Sequence, residues 1–173
     1  MISSNGHFHI GDKVVYPNHG VGVIEQISSR TIGSNVEQFY LLKIQSSSLK
    51  VMIPFHNAGA VGLRRVVKNG EIQKILDFLT DGECGNNADW KDRFKENSDR
   101  MRTGSLFEVA AVLKGLLVVN QAKPLSFREK KMLDRARYLL ISEVATVWNL
   151  AEEKVEELID RALLGKDVKR ANA

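Results

Sequence analysis

"KVVYPNHGVGVIEQI", residues 13–27, sets two short runs rich in Val, Ile and Tyr on either side of Asn18-His19-Gly20. β-Branched and aromatic side chains suit a pleated, half-buried surface, while Asn and Gly supply the backbone freedom of a tight turn. The stretch therefore predicts two antiparallel strands. Downstream, "EQFYLLKI" at 37–44 and "LKVMIP" at 49–54 repeat the pattern, set off by Gly33-Ser34-Asn35 and by Ser46-Ser47-Ser48. Short strands joined by tight turns as far as Val67 predict a small, bent antiparallel sheet or partial barrel. Its open edges must be protected or used, since a partner's strand can add to one.

Beyond Lys68 the apolar period lengthens to that of a helix. "GEIQKILDFLT" at 70–80 is a first short helix, "DGECGNN" interrupts it, and a second runs from Trp90 to about Arg102. Three further helices are predicted from capping boxes, Ser105 with Glu108, Ser126 with Glu129 and Asn149 with Glu152. Leu106, Val109, Ala110, Leu113, Leu116 and Leu117 make one apolar stripe. Met132, Leu133, Ala136, Leu139, Leu140 and Val144 make another. A third, Val155, Leu158, Ile159, Ala162 and Leu163, ends at Gly165. Stripes this wide belong to helices packed on one another. The reading is an α+β chain with a small bent antiparallel β-sheet over 1–68, an all-α helical bundle over 69–165 and a frayed tail over 166–173.

Trp90 heads the charged stretch "NADWKDRFKEN", residues 87–97. On a helix it shares a face with Phe94 and Met101, so it is either core or made to touch something. The 173 residues carry a formal charge of +4, but twelve basic and six acidic residues fall between 91 and 137. Clustered cations mark a polyanion partner or a solvated helix face. No run of about 18 apolar residues is long enough to cross a membrane. The first residues lack the pattern of a signal peptide, and the chain reads as cytoplasmic. One cysteine, Cys84, excludes an intrachain disulfide. His7, His9, His19 and His56 lack metal-ligand spacing, and "HGVGV" lacks the Lys-Ser/Thr of a phosphate loop. No nucleophile elbow or other catalytic signature is present, so the expectation is a binding protein without metal, cofactor or small-molecule substrate, not an enzyme.

"FHIGDKVVYPNHGVGVIEQI", residues 8–27, closely resembles the CarD/CdnL family of bacterial transcription regulators. The resemblance continues through "RTIGS" at 30–34, "FYLLKI" at 39–44, "VMIP" at 51–54, the Trp90 helix and "SFREKKMLDRARYLL" at 126–140, and so covers nearly the whole chain. It implies a Tudor-like N-terminal domain, like that of transcription-repair coupling factors, that docks on the protrusion lobe of the RNA polymerase β subunit. It implies a helical domain lying against promoter DNA at the upstream edge of the transcription bubble and stabilising the open complex.

Trp90 matches the family's wedge. A ring pressed into the minor groove at an unstacked step replaces lost stacking, and neighbouring cations hold phosphates. The backbone contacts expected on this basis are Lys91, Arg93 and Lys95 beside the wedge, with Lys130, Lys131, Arg135 and Arg137 from the later helix. Lys114 and Lys123 are weaker candidates, and Phe94 and Met101 are expected in the core. On the polymerase side the resemblance points to Arg30, Met52 and Pro54. Some relatives carry a basic residue where Met52 stands, so a more apolar contact is implied here. The alternative is a polymerase-bound adaptor whose helical domain recruits another protein without touching DNA, because exposed aromatics also mark protein hot spots. A weaker reading is a free Tudor-like RNA- or peptide-binding module, which would need a cage from Tyr16, Phe39, Tyr40 and Phe55.

Overall fold

The computed structural model describes residues 7–85 and 89–166. The chain divides into two units, Met1–Val66 and Val67–Ala173. The tail expected over 166–173 lies, after Lys166, outside the described residues.

The first unit is a five-stranded antiparallel sheet in the order β4-β3-β2-β1-β5, formed by β1 (Lys13–Tyr16), β2 (Gly20–Ile32), β3 (Asn35–Ile44), β4 (Lys50–Pro54) and β5 (Arg64–Arg65). The opening stretch is the β1–β2 hairpin, with Tyr16 paired to Gly20 across a turn that puts Asn18 at φ 67°. Alternation selects the buried face, and Tyr40, Leu42 and Ile44 of β3 are almost fully enclosed. They pack with Val14, Ile24 and Ile53. The bend comes from a bulge between Ile24 and Gln26, where β2 holds one residue more than β3. The Gly33-Ser34 turn, with φ 66° at Gly33, closes the β2–β3 hairpin. That hairpin outruns its neighbours, because β4 reaches only to Phe39 on β3, and its far end is a two-stranded ribbon.

Gly22 sits where β2 and β3 approach closely. A Cβ there would lie 2.7 Å from Leu42 Cδ1 and 2.8 Å from the Lys43 carbonyl oxygen. The latter is backbone held in the ladder and cannot step aside. Gly22→Ala is expected to cost about 1–3 kcal/mol, as overpacking does. Scanning calorimetry would register this as a lower-melting transition of the first unit.

The second unit holds five helices, α1 (Asn69–Asp81), α2 (Trp90–Arg102), α3 (Leu106–Ala122), α4 (Phe127–Trp148) and α5 (Glu152–Leu163). Its separate core joins Ile72, Leu79, Leu113, Leu116, Leu140 and Ile159. Trp148 is buried at the end of α4, and its indole N–H donates to the Asn69 side chain. Glu143, also buried, accepts from the Val67 amide at 2.9 Å, tying the start of the unit to α4.

The three expected capping boxes fare differently. Ser126 and Glu129 form the full box. Ser105 accepts from the Glu108 amide, but the Glu108 carboxylate lies 3.7 Å from Arg100. Asn149 caps nothing downstream. It ends α4 in the left-handed conformation, at φ 53°, and α5 begins from Ala151 without a side-chain cap. Met101 is core as expected, whereas Phe94 is only half-buried. Among the described residues no helix is long and apolar enough to cross a membrane.

Candidate functional site

Each unit presents one candidate surface. In the first unit, strand alternation and register put Arg30 of β2, Glu37, Phe39 and Leu41 of β3, and Met52 and Pro54 of β4 on one face, opposite Tyr40 and the core. The three residues expected to meet polymerase therefore share a surface. Arg30 is exposed on the ribbon and stands across from Glu37, whose carboxylate is 2.7 Å from His56 Nδ1. Met52 is 37% exposed, and half-buried Phe39 and Leu41 continue its apolar strip. β4 is the sheet's edge, so its outer backbone groups face away from the ladder. Tyr40 and Phe55 stack face to face with centroids 4.0 Å apart, which fills the space a ligand cage between them would need.

In the second unit, Asp89 caps α2 by accepting from the Lys91 amide at 2.8 Å, and Trp90 follows as the first helical residue. This position at an open helix end leaves the indole 49% exposed, in contrast to Trp148. Lys91 Nζ lies 5.7 Å from the Trp90 ring centroid. Lys91 and Lys95, one turn apart, are both exposed. On α4, Lys130, Lys131 and Arg135 are exposed. Lys131 lies over the Phe127 ring at 4.6 Å and Arg135 over Tyr138 at 5.7 Å. Phe127, the first residue of α4, is 71% exposed.

The two remaining arginines of the expected DNA-facing set have other work. Arg93 donates from Nε and Nη2 to Glu129 Oε1 at 2.9 and 2.7 Å, and the side chains are 14% and 3% exposed. Glu129 Oε2 in turn accepts from the Ser126 amide and hydroxyl, each at 3.0 Å. Arg137 bridges to α5, donating to Asp160 Oδ1 at 2.6 Å and to Glu156 Oε1 at 3.1 Å. Both therefore pin helices together inside the unit, which shifts the outward-facing positive charge to Lys91, Lys95, Lys130, Lys131 and Arg135. Lys114 also turns inward, to the Phe78 carbonyl oxygen at 2.8 Å. A groove of about 470 Å³ opens beside Trp90, between α2 and the end of α3 with its connection to α4.

The Arg93–Glu129 latch carries a pH dependence. Burial pushes the Glu129 carboxyl up, but the bonds from Ser126 and Arg93 and the Arg93 charge outweigh it and hold the group below the usual carboxylate range. A depressed folded pKa gives stability that is present above the unfolded value of about 4.5 and is lost as pH falls through the folded one. Urea denaturation of the helical unit is expected to show a plateau near neutrality and a decline below about pH 4.5, with a shallower decline in Glu129→Gln. Equal pH profiles for the two proteins would contradict the assignment.

Comparison with known proteins matches residues 8–67 to the CarD-like/TRCF RID domain and residues 74–160 to the CarD C-terminal domain. The protein from Bacillus subtilis (strain 168) named "Putative transcription factor YdeB" is 34% identical over 149 residues, covering 86% of this chain and 97% of that one. Among solved structures, CdnLNt from Myxococcus xanthus is 33% identical, covers 40% of this chain and 97% of its own, and superposes with a TM-score of 0.32.

Proposed function

Given that the chain belongs to the CarD/CdnL family, whose members are transcription factors and not enzymes, we propose that it binds the RNA polymerase β subunit and stabilises the open promoter complex. In this reading the outer sheet face carrying Arg30, Met52 and Pro54 docks on the protrusion lobe of β. The partner sees an apolar centre rimmed by a cation, and edge strand β4 offers it a backbone to pair with. The helical unit lies on promoter DNA at the upstream edge of the bubble. Trp90 enters the minor groove at an unstacked step, and Lys91, Lys95, Lys130, Lys131 and Arg135 meet phosphates. Arg93 and Arg137 contribute by holding the helices that present these groups. Recognition here is of an opened duplex and not of a sequence, since the minor groove carries a degenerate code. Disfavouring bubble closure by only about 1.4 kcal/mol changes the equilibrium tenfold.

The observation that carries the reading is the indole of Trp90, half exposed at the head of a capped helix and accompanied by the exposed lysines 91 and 95. Its electrostatic part is testable by salt. With the protein kept saturating on polymerase, its lengthening of open-complex lifetime is expected to fall steeply with ionic strength. Replacing Lys91, Lys95 and Lys131 by Gln should flatten the slope by roughly one unit for each phosphate no longer neutralised. A slope unchanged by the triple replacement would favour the protein-recruiting alternative.

A further inference from the structure

A groove of about 470 Å³ lies beside the exposed ring of Trp90. A ring that only props a base step open needs an exposed edge, and the surface behind it can be flat. Here Trp90 of α2 lines the groove together with Val118, Ala122, Pro124 and Leu125 at the end of α3 and the connection to α4. The volume of about 470 Å³ falls in the range of sites that hold one small ligand, about 300–1,000 Å³. The lining also includes Arg93 and Glu129, already bonded to each other, and Ser126, already bonded to Glu129. Lys123 stands exposed on the lining, and Lys91 Nζ lies over the indole, 5.7 Å from its centroid. The Glu129 carboxylate is thus offset by its arginine, and the surplus charge is positive.

From this we infer that the groove captures one unpaired base of the melted strand, stacked against the Trp90 face, with its phosphate toward Lys123 and Lys91. The inference rests on the DNA reading above and deepens it. An aromatic ring and aliphatic side chains lining one groove suit the face of a base, and basic groups near it suit a backbone phosphate. The side chains of Arg93, Glu129 and Ser126 are engaged with one another and leave little with which to read a base edge. Capture is therefore tolerant of base identity, but it needs a base.

The test uses the full chain and its matching polymerase, and reads the ratio of open-complex lifetimes with and without protein after competitor challenge. One abasic nucleotide is stepped through the upstream edge of the bubble on each strand in turn. The expected result is a single position at which loss of the base lowers the protein's effect about tenfold, while exchange among the four bases there changes it little. Ala122→Phe, which fills the groove from an exposed helix end, should lower the effect to the same degree on an intact promoter and add nothing on the abasic one. If no abasic position lowers the effect, or if folded, polymerase-bound Ala122→Phe acts like the unaltered protein, capture is overturned. Trp90→Ala separates this failure from that of the wider reading. If that variant is impaired while the abasic series is flat, the wedge survives without the pocket, and if it is unimpaired, both fall.

Discussion

Glu129→Ala is expected to destabilise the helical unit by about 3–5 kcal/mol, the cost of removing one member of a buried ion pair. Arg93 would keep its guanidinium largely enclosed without the carboxylate that accepts two of its bonds, and Ser126 would lose the acceptor that completes the α4 cap. Removing Glu129 and Arg93 together is a different experiment. Replacement of a buried pair by apolar residues of similar volume is often near neutral, so Arg93→Met with Glu129→Leu should recover most of the loss. Urea denaturation followed by the fluorescence of buried Trp148 reads the helical unit directly, although exposed Trp90 adds a background. A single replacement costing less than about 1 kcal/mol would place the pair among weak surface bridges. The functional corollary is selective, because the double replacement keeps the fold yet loosens the registration of α2 on α4. Open-complex lifetime should fall even where stability is restored.

Division of the chain between Val66 and Val67 is expected to have the largest effect on function. Each side of that boundary has its own core, so each can remain folded when supplied separately. What is lost is the tether. A short connection holds the second site at an effective concentration in the millimolar range, and linkage raises apparent affinity by about 10²–10⁴ without any new contact. At micromolar concentrations the two separated units should therefore leave open-complex lifetime nearly unchanged, and raising only the helical unit toward millimolar should recover the effect. A helical unit fully active alone at micromolar concentration would mean that DNA binding needs no polymerase anchor.

The strands were legible because alternation in "YLLKI" and turn residues on either side leave little choice of face. The ribbon and the bulge were not, since both depend on which neighbour runs out first. Among helices, Asn149 shows why a local signature can mislead. Asn followed three residues later by Glu fits a capping box, but Asn also tolerates the left-handed conformation that closes a preceding helix, and here that second use wins. Arg93 and Arg137 looked like the lysines around them. Their carboxylate partners lie 36, 19 and 23 residues away, on helices whose packing no local pattern encodes. Trp90 fitted an apolar stripe with Phe94 and Met101. Its place in the first turn, beyond the shelter of its neighbours, separates it from that stripe, and the family resemblance pointed to exposure before any geometry did. Phe39 and Leu41 on the outer sheet face are not legible in the sequence, because an apolar residue on a strand can face either way until the register is known.

The role of Trp90 is tested most directly by the lifetime of a competitor-challenged open complex on a ribosomal-type promoter, with the unaltered protein and with Trp90→Ala shown to be folded and still bound to polymerase. The unaltered protein is expected to lengthen the lifetime, and the variant to lose about tenfold of that gain or more. The variant's melting temperature should stay within about a degree or two of the original, because the indole is half exposed. Equal lengthening by both would contradict the wedge and transfer the effect to the lysines. No lengthening by either would contradict open-complex stabilisation altogether and leave the polymerase-bound adaptor.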